Sequence, residues 1–466
     1  MARLFPFRAL RYDPTRVNMA DVVTQPYDKI DKQMQERYYN LSPYNLVRVV
    51  LGKHQPDDNE QHNVYTRAAE TLEQWQDEGV LCKETVPALY GYSQTYTVPG
   101  TGGDTGVKAD IRERRGFIAL GQLHDYADHV VYRHEQTFPK HKSDRLALFK
   151  ATRAYCEQIY MLYSDPTFTA EKVIFDVPPP NVGNAATVSH VSRVPDLEIT
   201  DEYHVVHRVW KLTDCNLITR VLDAMKDKWL LIADGHHRYE TSVGYMHERA
   251  EQLHCDADAE PKLTADGLPQ PAFPEQAMMM TFVNMDAPGI TILPTHRVVS
   301  GLADFSIKDF AEKAKQYFDV QELEGSLTPA ELLAKLNATN GVAFVAAASD
   351  GNLLLTPKPE AIAPVLKGLS PRQQQLDVTQ LHKVVLERIF GLDEDTIRKG
   401  EVIRYYREAD ESVERVKNGK ADVAFLIKPV TLEQMKDISL NLEVMPQKST
   451  DFYPKLLSGL AMYTLD

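Results

Sequence analysis

Cysteine is scarce in this chain. Four thiols in 466 residues, Cys82, Cys156, Cys215 and Cys255, show neither CxxC spacing nor the dense pattern of a secreted disulfide scaffold. They are expected as reduced, singly buried thiols of a cytoplasmic protein. Long apolar runs are absent too. No stretch approaches the roughly 18 residues of a membrane span, and the opening Met-Ala-Arg-Leu-Phe-Pro-Phe-Arg has no signal-peptide core. An excess of positive charge is missing: the formal net charge is −14, which argues against a chain that lives on nucleic acid or anionic lipid. No self-similarity recurs at about 20–50 residues, so solenoids and propellers are not expected. What remains is ordinary globular composition, 43% hydrophobic and 25% charged, in a length that favours about two or three domains.

Strand-like and helix-like segments alternate throughout, which predicts α+β domains with mixed sheets. Three regions are expected: an N-terminal α+β region over 1–180, a motif region over 181–300 and a C-terminal α/β region over 301–466. Helices are predicted at 31–39, 59–78, 143–157 and 378–390, and a strand at 46–51. Two strands at 89–98 and 115–123 flank Gly100-Thr101-Gly102-Gly103-Asp104-Thr105-Gly106. That cluster lacks the lysine of a P-loop and joins strand to strand, so it reads as a hairpin tip. Pro178-Pro179-Pro180-Asn181-Val182-Gly183 reads as a boundary loop, and the acidic stretch 255–275 as an exposed insertion.

The chemistry concentrates in Ala233-Asp234-Gly235-His236-His237-Arg238-Tyr239-Glu240-Thr241. An apolar run, Trp229-Leu230-Leu231-Ile232, precedes it and a helical pattern follows, so the motif sits on a strand-to-helix turn. Glycine permits a sharp turn and close approach of a ligand. The first turn of a helix presents amides without intrahelical acceptors, and an arginine adds a planar fork suited to phosphate oxygens. Together these describe an anion cradle, with Gly235, His236, His237 and Arg238 as its binding residues. Asp234, at the strand end, is placed to hold Mg²⁺ or to orient an attacking hydroxyl; a plain helix-capping acid is the alternative. Adjacent His236 and His237 diverge and do not make a zinc pair. His204 and His207 would point to opposite faces of a strand and have no joint role.

Gly235-His236-His237-Arg238 resembles the Gly-x-His-Arg turn of the ParB/sulfiredoxin superfamily, where the turn holds nucleotide phosphates. His236 stands where sulfiredoxin has its catalytic cysteine, so that redox chemistry is not implied. The Asp-Gly-His-His-Arg version is similar to that of the superfamily's free-serine kinases. The longer string is similar to the family called domain of unknown function 1015, as are Pro6-Phe7-Arg8-Ala9-Leu10, Gln25-Pro26-Tyr27-Asp28, His134-Glu135, Leu293-Pro294-Thr295-His296-Arg297 and Val444-Met445-Pro446-Gln447-Lys448-Ser449-Thr450. The resemblance implies an α+β fold with a ParB/sulfiredoxin-like nucleotide-binding core and an additional mixed α/β C-terminal domain. It also raises Lys448, Ser449, Thr450 and Arg297 as further donors to an anionic ligand.

A kinase acting on a small alcohol needs a carboxylate within reach of the hydroxyl. Asp28 and Glu135 both precede the turn in sequence, as does the acidic residue that the superfamily's serine kinases use, and His236 is a further catalytic candidate. The basic run Lys140-His141-Lys142-Ser143-Asp144-Arg145 is expected as a flap facing the site. The leading expectation is a nucleotide-dependent phosphotransferase on a small hydroxyl compound, free L-serine first, with ATP or ADP as donor and Mg²⁺ as cofactor. Its partners would be nucleotide and small-molecule substrate, with no nucleic acid and no membrane. A nucleotide-gated, DNA-associated ParB-like protein and a metal-dependent hydrolase are the alternatives.

Overall fold

Tyrosines at alternate positions put Leu89–Thr97 against Ile111–Gln122 in one antiparallel pair, with Tyr90 opposite Ile118 and Thr97 opposite Ile111. Further strands extend that pair on both sides. The computed structural model describes residues 2–102, 108–137, 139–176 and 194–466. Residues 103–107 of the expected glycine hairpin and the expected boundary at Pro178 to Gly183 lie outside the described residues. Among those described, the chain forms two units, each built from separated segments. The first comprises Met1–Arg133, Thr137–Thr291 and Pro454–Asp466; the second comprises His134–Gln136 and Ile292–Tyr453.

The first unit carries a mixed nine-stranded sheet. Its path runs Val131–Tyr132, Leu230–Asp234, Ile159–Tyr163, Ala277–Asn284, Ile111–Gln122, Leu89–Thr97, Val206–Leu212 and Leu197–Thr200, with Leu4–Phe5 added against Ile111–Gln122. Ala277–Asn284 runs parallel to Ile159–Tyr163, while Leu230–Asp234 runs antiparallel to it. Central strands buried on both faces read as continuous apolar runs, as Ala-Met-Met-Met-Thr-Phe-Val-Asn does. Helices Thr169–Phe175, Cys215–Met225 and His236–Leu253 pack on the sheet. Val64–Asp77 starts at a capping box in which Asn63 accepts the amides of Tyr65 and Thr66, and it buries Val64, Ala68, Leu72 and Trp75 along one stripe.

The second unit has a six-stranded antiparallel sheet in the order Phe318–Leu323, Gly351–Pro357, Phe344–Ala348, Val423–Ile427, His296–Val299, Ile403–Tyr406. Leu332 and Leu336 of one helix and Val413 of another pack on Val345 and Leu426. Phe310, Phe390 and Phe425 form an aromatic cluster with centroids 5.4–6.0 Å apart. The expected helix over 378–390 is present, but its second part, Leu381–Ile389, is wound as a π-helix.

The α+β expectation with mixed sheets matches this architecture. Several local expectations do not. Residues 46–51 form a helical turn, Val47–Val50, instead of a strand. Buried Asn45 explains it: its side chain accepts the Val47 amide and donates to the Asp21 carbonyl, a local bond that overrides the β-branched composition. His204 lies outside the strand Val206–Leu212, at φ 61 in the turn before it. Of the four thiols only Cys156 is buried, and burial pushes it up to about 12. The stretch 255–275 holds an exposed pairing of Lys262–Leu263 with Pro269–Gln270. No helix among the described residues is long and apolar enough to cross a membrane.

Candidate functional site

The motif strand, Leu230–Asp234, pairs Ile232 with Met161 and then Asp234 with Tyr160, so one extra residue is inserted at Ala233. A bulge of this kind re-aims the side chain that follows it, and here that side chain is Asp234. The motif helix starts at once, at His236, with Gly235 as its cap at φ 98, ψ 25. An L side chain is strained at that φ. A Cβ there would also stand 3.0 Å from Ile159 Cδ1 and 3.1 Å from Arg238 Nη2. Glycine is therefore required by conformation, while a Cβ would need Ile159 and Arg238 to give by a few tenths of an ångström. His236 is buried and His237 partly exposed, so the two imidazoles diverge as expected.

Arg238 is only 4% exposed. Its Nη1 donates to the Gln158 carbonyl at 2.8 Å and lies 3.9 Å from Glu157 Oε1. Burial alone would pull this guanidinium down, but the carboxylates of Glu157, Asp234 and Asp28 outweigh it and hold Arg238 above its ordinary value. Glu157 is equally buried and accepts the Tyr27 amide at 2.9 Å. Arg145 lies 3.7 Å from its other oxygen and stacks over the Tyr27 ring at 4.0 Å. Tyr27–Lys29 is a single helical turn that carries Asp28 on the exposed side. Glu157 thus ties the Asp28 turn to the motif arginine.

A cation completes this ring from the far end of the chain. Lys455 Nζ lies 3.6 Å from Asp234 Oδ2, with the lysine side chain 9% exposed. Its backbone is pinned: Gln94 donates to the Lys455 carbonyl at 2.7 Å, and Arg114 donates to the Pro454 carbonyl and to Gln94 Oε1. Arg114 also sits over the ring of Tyr160, the residue in register with Asp234, at 4.8 Å.

Of the basic run, Lys140 and His141 have side chains outside the described residues. Lys142 pairs with Glu240 of the motif helix, which also accepts from Tyr126, Arg133 and Thr137. Arg145 is buried in the helix Pro139–Thr152 and donates to the Val50 carbonyl.

The remaining candidates gather in the second unit. Glu135 Oε1 accepts the amides of Ser449 at 2.9 Å and Thr450 at 3.3 Å. Arg297 donates to the carbonyls of Gln447 and Lys448 and to His382 Nε2. The polar loop over 446–450 is therefore held by a carboxylate on its amides and a guanidinium on its carbonyls, with Lys448 at φ 59. Arg297 is wholly buried, which pushes it down to about 10, and burial pushes neighbouring His296 down to about 4. Ser449 Oγ returns to the Pro446 carbonyl, and Thr450 Oγ1 meets His134 Nε2 at 2.8 Å.

Asp28, Asp234, Gly235, His236, His237 and Arg238 thus fall in the first unit; Glu135, Arg297, Lys448, Ser449 and Thr450 fall in the second. Glu157 and Lys455 escaped sequence reasoning. Each left a faint signal: a charged residue just ahead of the buried run Ile159-Tyr160-Met161-Leu162-Tyr163, and a lone lysine between Tyr453-Pro454 and Leu456-Leu457. Among the described residues the His/Asp group spaced to hold a metal ion is His124, Asp128 and Asp258, which includes neither motif histidine.

A family model described as protein of unknown function (DUF1015) matches residues 4–379. No curated protein matches. Solved structures that are similar include a conserved hypothetical protein from Pyrococcus furiosus, at 13% identity and TM-score 0.31 over 70% of this chain and 89% of that one. A free serine kinase in complex with AMP is similar at 13% identity and TM-score 0.30, over 69% of this chain and 83% of that one. SbnI from Staphylococcus aureus, truncated at its C-terminus, is similar at 10% identity and TM-score 0.33, over 73% and 85%.

Proposed function

The chain belongs to the DUF1015 family, and we propose that this member is a nucleotide-dependent phosphotransferase acting on a small hydroxyl compound, with L-serine the first to test. One observation carries it: a left-handed glycine at a strand-to-helix junction, with a carboxylate on its strand side and cations packed around it. That geometry suits phosphate oxygens, which would lie against the first-turn amides and the Gly235 backbone. The likeness of Asp234-Gly235-His236-His237-Arg238 to the turn of the superfamily's free-serine kinases points the same way.

The roles then divide. Gly235 gives the phosphates close approach, with His236 and His237 beside it. Arg238 holds the turn through Gln158 and Glu157. The bulged Asp234 orients the hydroxyl, or holds Mg²⁺, for which one carboxylate with phosphate oxygens and water is a common ligand set. Asp28 receives the hydroxyl proton as the substrate oxygen bonds to the terminal phosphorus and the nucleotide departs one phosphate shorter. Asp28 is favoured over Glu135, whose carboxylate is engaged by two loop amides. Cytoplasmic residence accords with such a role.

The test is equilibrium binding of ATP, ADP and CTP with Mg²⁺, followed by an assay for phosphoserine with each nucleotide that binds. Phosphoserine formed by wild type and lost in Asp234→Asn is the expected result. A folded wild-type protein that binds no nucleotide, or binds one and never phosphorylates a hydroxyl, rules the activity out.

A further inference from the structure

We infer that the second unit holds an anion site of its own, built from Arg297, Lys448 and Tyr405, whose ligand is a small-molecule carboxylate. None of these residues belongs to the unit that carries the Gly235 turn, and the nucleotide reading is not needed for the site. Arg297 is wholly buried, yet it forms no ion pair among the described residues. Its guanidinium donates to the carbonyls of Thr295, Gln447 and Lys448 and to His382 Nε2, on an imidazole that burial keeps neutral. Glu135 acts on it through space, without a hydrogen bond. A buried charge left unpaired costs far more than a buried dipole. Holding loop carbonyls does not need one, since a glutamine N–H donates to them without a charge to desolvate. The contrast with Arg238 is direct. Both are buried, but carboxylates hold Arg238 above its ordinary value, whereas burial pushes Arg297 down to about 10. Nη1 of Arg297 also has a second N–H that none of these bonds uses.

Tyr405 shows where the charges meet. It stands in register with Arg297 on the neighbouring strand, and the guanidinium sits over its ring at 5.3 Å. Burial raises its phenol, Arg297 and Lys448 pull it down, and Glu135 pushes it up. Two cations and one carboxylate thus act on a single hydroxyl, which makes no hydrogen bond among the described residues. Lys448 is the loop's uncommitted donor. Ser449 Oγ is spent on the Pro446 carbonyl and Thr450 Oγ1 on His134 Nε2, whereas the Lys448 ammonium has neither ion pair nor hydrogen bond among the described residues. Lys448, Tyr405 and Glu135 are all partly exposed, so a ligand from solvent can reach them. The excess is one positive charge, which a carboxylate matches and a doubly charged phosphate beside Glu135 exceeds. Such a carboxylate would accept from the Lys448 ammonium, the Tyr405 hydroxyl and the remaining Arg297 N–H.

The experiment follows the melting temperature of the full-length protein as sodium acetate, glycolate, benzoate or phosphate is added, against sodium chloride at the same ionic strength. Wild type, Lys448→Met, Lys448→Arg and Tyr405→Phe are compared. At least one monocarboxylate should stabilise wild type along a saturating curve, as a ligand of the folded state does. Lys448→Met and Tyr405→Phe should each weaken that binding by about tenfold, the size of a lost charge-assisted bond, and Lys448→Arg should recover most of the loss. No saturable effect of any carboxylate beyond chloride overturns the inference. So does a carboxylate effect that survives both Lys448→Met and Tyr405→Phe, because the ligand then sits elsewhere. Stabilisation by phosphate alone, lost in Lys448→Met, overturns the carboxylate assignment. Should Lys448→Met not fold, Lys448→Gln read against Lys448→Arg makes the same comparison.

Discussion

Glu135 Oε1 accepts the Ser449 amide at 2.9 Å, joining two residues more than three hundred positions apart. Arg297 holds the carbonyls of the same loop. Glu135→Ala leaves two partly buried amides without an acceptor and should cost about 1–3 kcal/mol of stability. Glu135→Gln keeps one carbonyl oxygen and should cost less. Chemical denaturation of the two variants checks this; equal behaviour would mean that the carboxylate is not anchoring the loop.

Asp377 gives a pH dependence of known sign. Burial raises its carboxyl from an ordinary 3.8 to about 6, against the pull of Lys428 and nearby amides. Between those values the folded state binds more protons than the unfolded one. Stability at this site is therefore full below the ordinary value, falls as pH rises through about 6, and stays reduced above it. Asp377→Asn should gain on wild type between about pH 4 and pH 7 by at most on the order of 3 kcal/mol. A difference between the two that stays flat with pH would refute this.

Gly235→Ala adds a side chain at φ 98 and a Cβ within 3.1 Å of Arg238 Nη2. The left-handed backbone alone costs about 1–2 kcal/mol. A loss of roughly 1–3 kcal/mol in denaturation is expected, together with weaker nucleotide binding. Retention of both would mean that the turn has slack the geometry does not reveal.

Arg238→Ala strips a buried cation from Glu157, and about 3–5 kcal/mol of destabilisation is expected. Arg238→Lys, which keeps the charge, should lose clearly less. Thermal melts of both decide it. A substitution to alanine that leaves stability untouched would show that Arg145 alone neutralises Glu157.

Asp28→Asn tests the proton acceptor. Loss of a general base should lower kcat for serine phosphorylation by about 10²–10⁴, with nucleotide affinity little changed. A steady-state assay beside a binding titration separates the two; a lost affinity with kcat intact would move Asp28 from proton transfer to substrate binding.

The motif was legible because its signals are local. A strand run, a glycine and a capped helix follow one another within a dozen residues, and the strand and helix lie where periodicity puts them, the helix beginning three residues earlier than its apolar pattern suggested. The bulge at Ala233 was not legible, since it depends on the partner strand Ile159–Tyr163. Nor was the burial of Arg238, because Glu157 and Gln158 approach it only through the sheet. The turn at 46–51 went against its β-branched residues because Asn45, buried and bonded to Asp21, settles that segment from outside. The contacts of Arg297 and Glu135 with the loop that carries Lys448 were not legible either, because no spacing announces them.

The return of Pro454–Asp466 to the first unit has a consequence in time. Synthesis must pass through all of Ile292–Tyr453 before that segment exists, a delay of roughly ten to thirty seconds at ribosomal speeds. Until then Leu10, Thr24 and Tyr155 lack the backbone partners that Met462, Ser458 and Tyr463 later bring. Asp234 waits equally long for Lys455. A nascent chain in this state offers open edges to other chains, and a premature stop only a dozen residues early would make the state permanent.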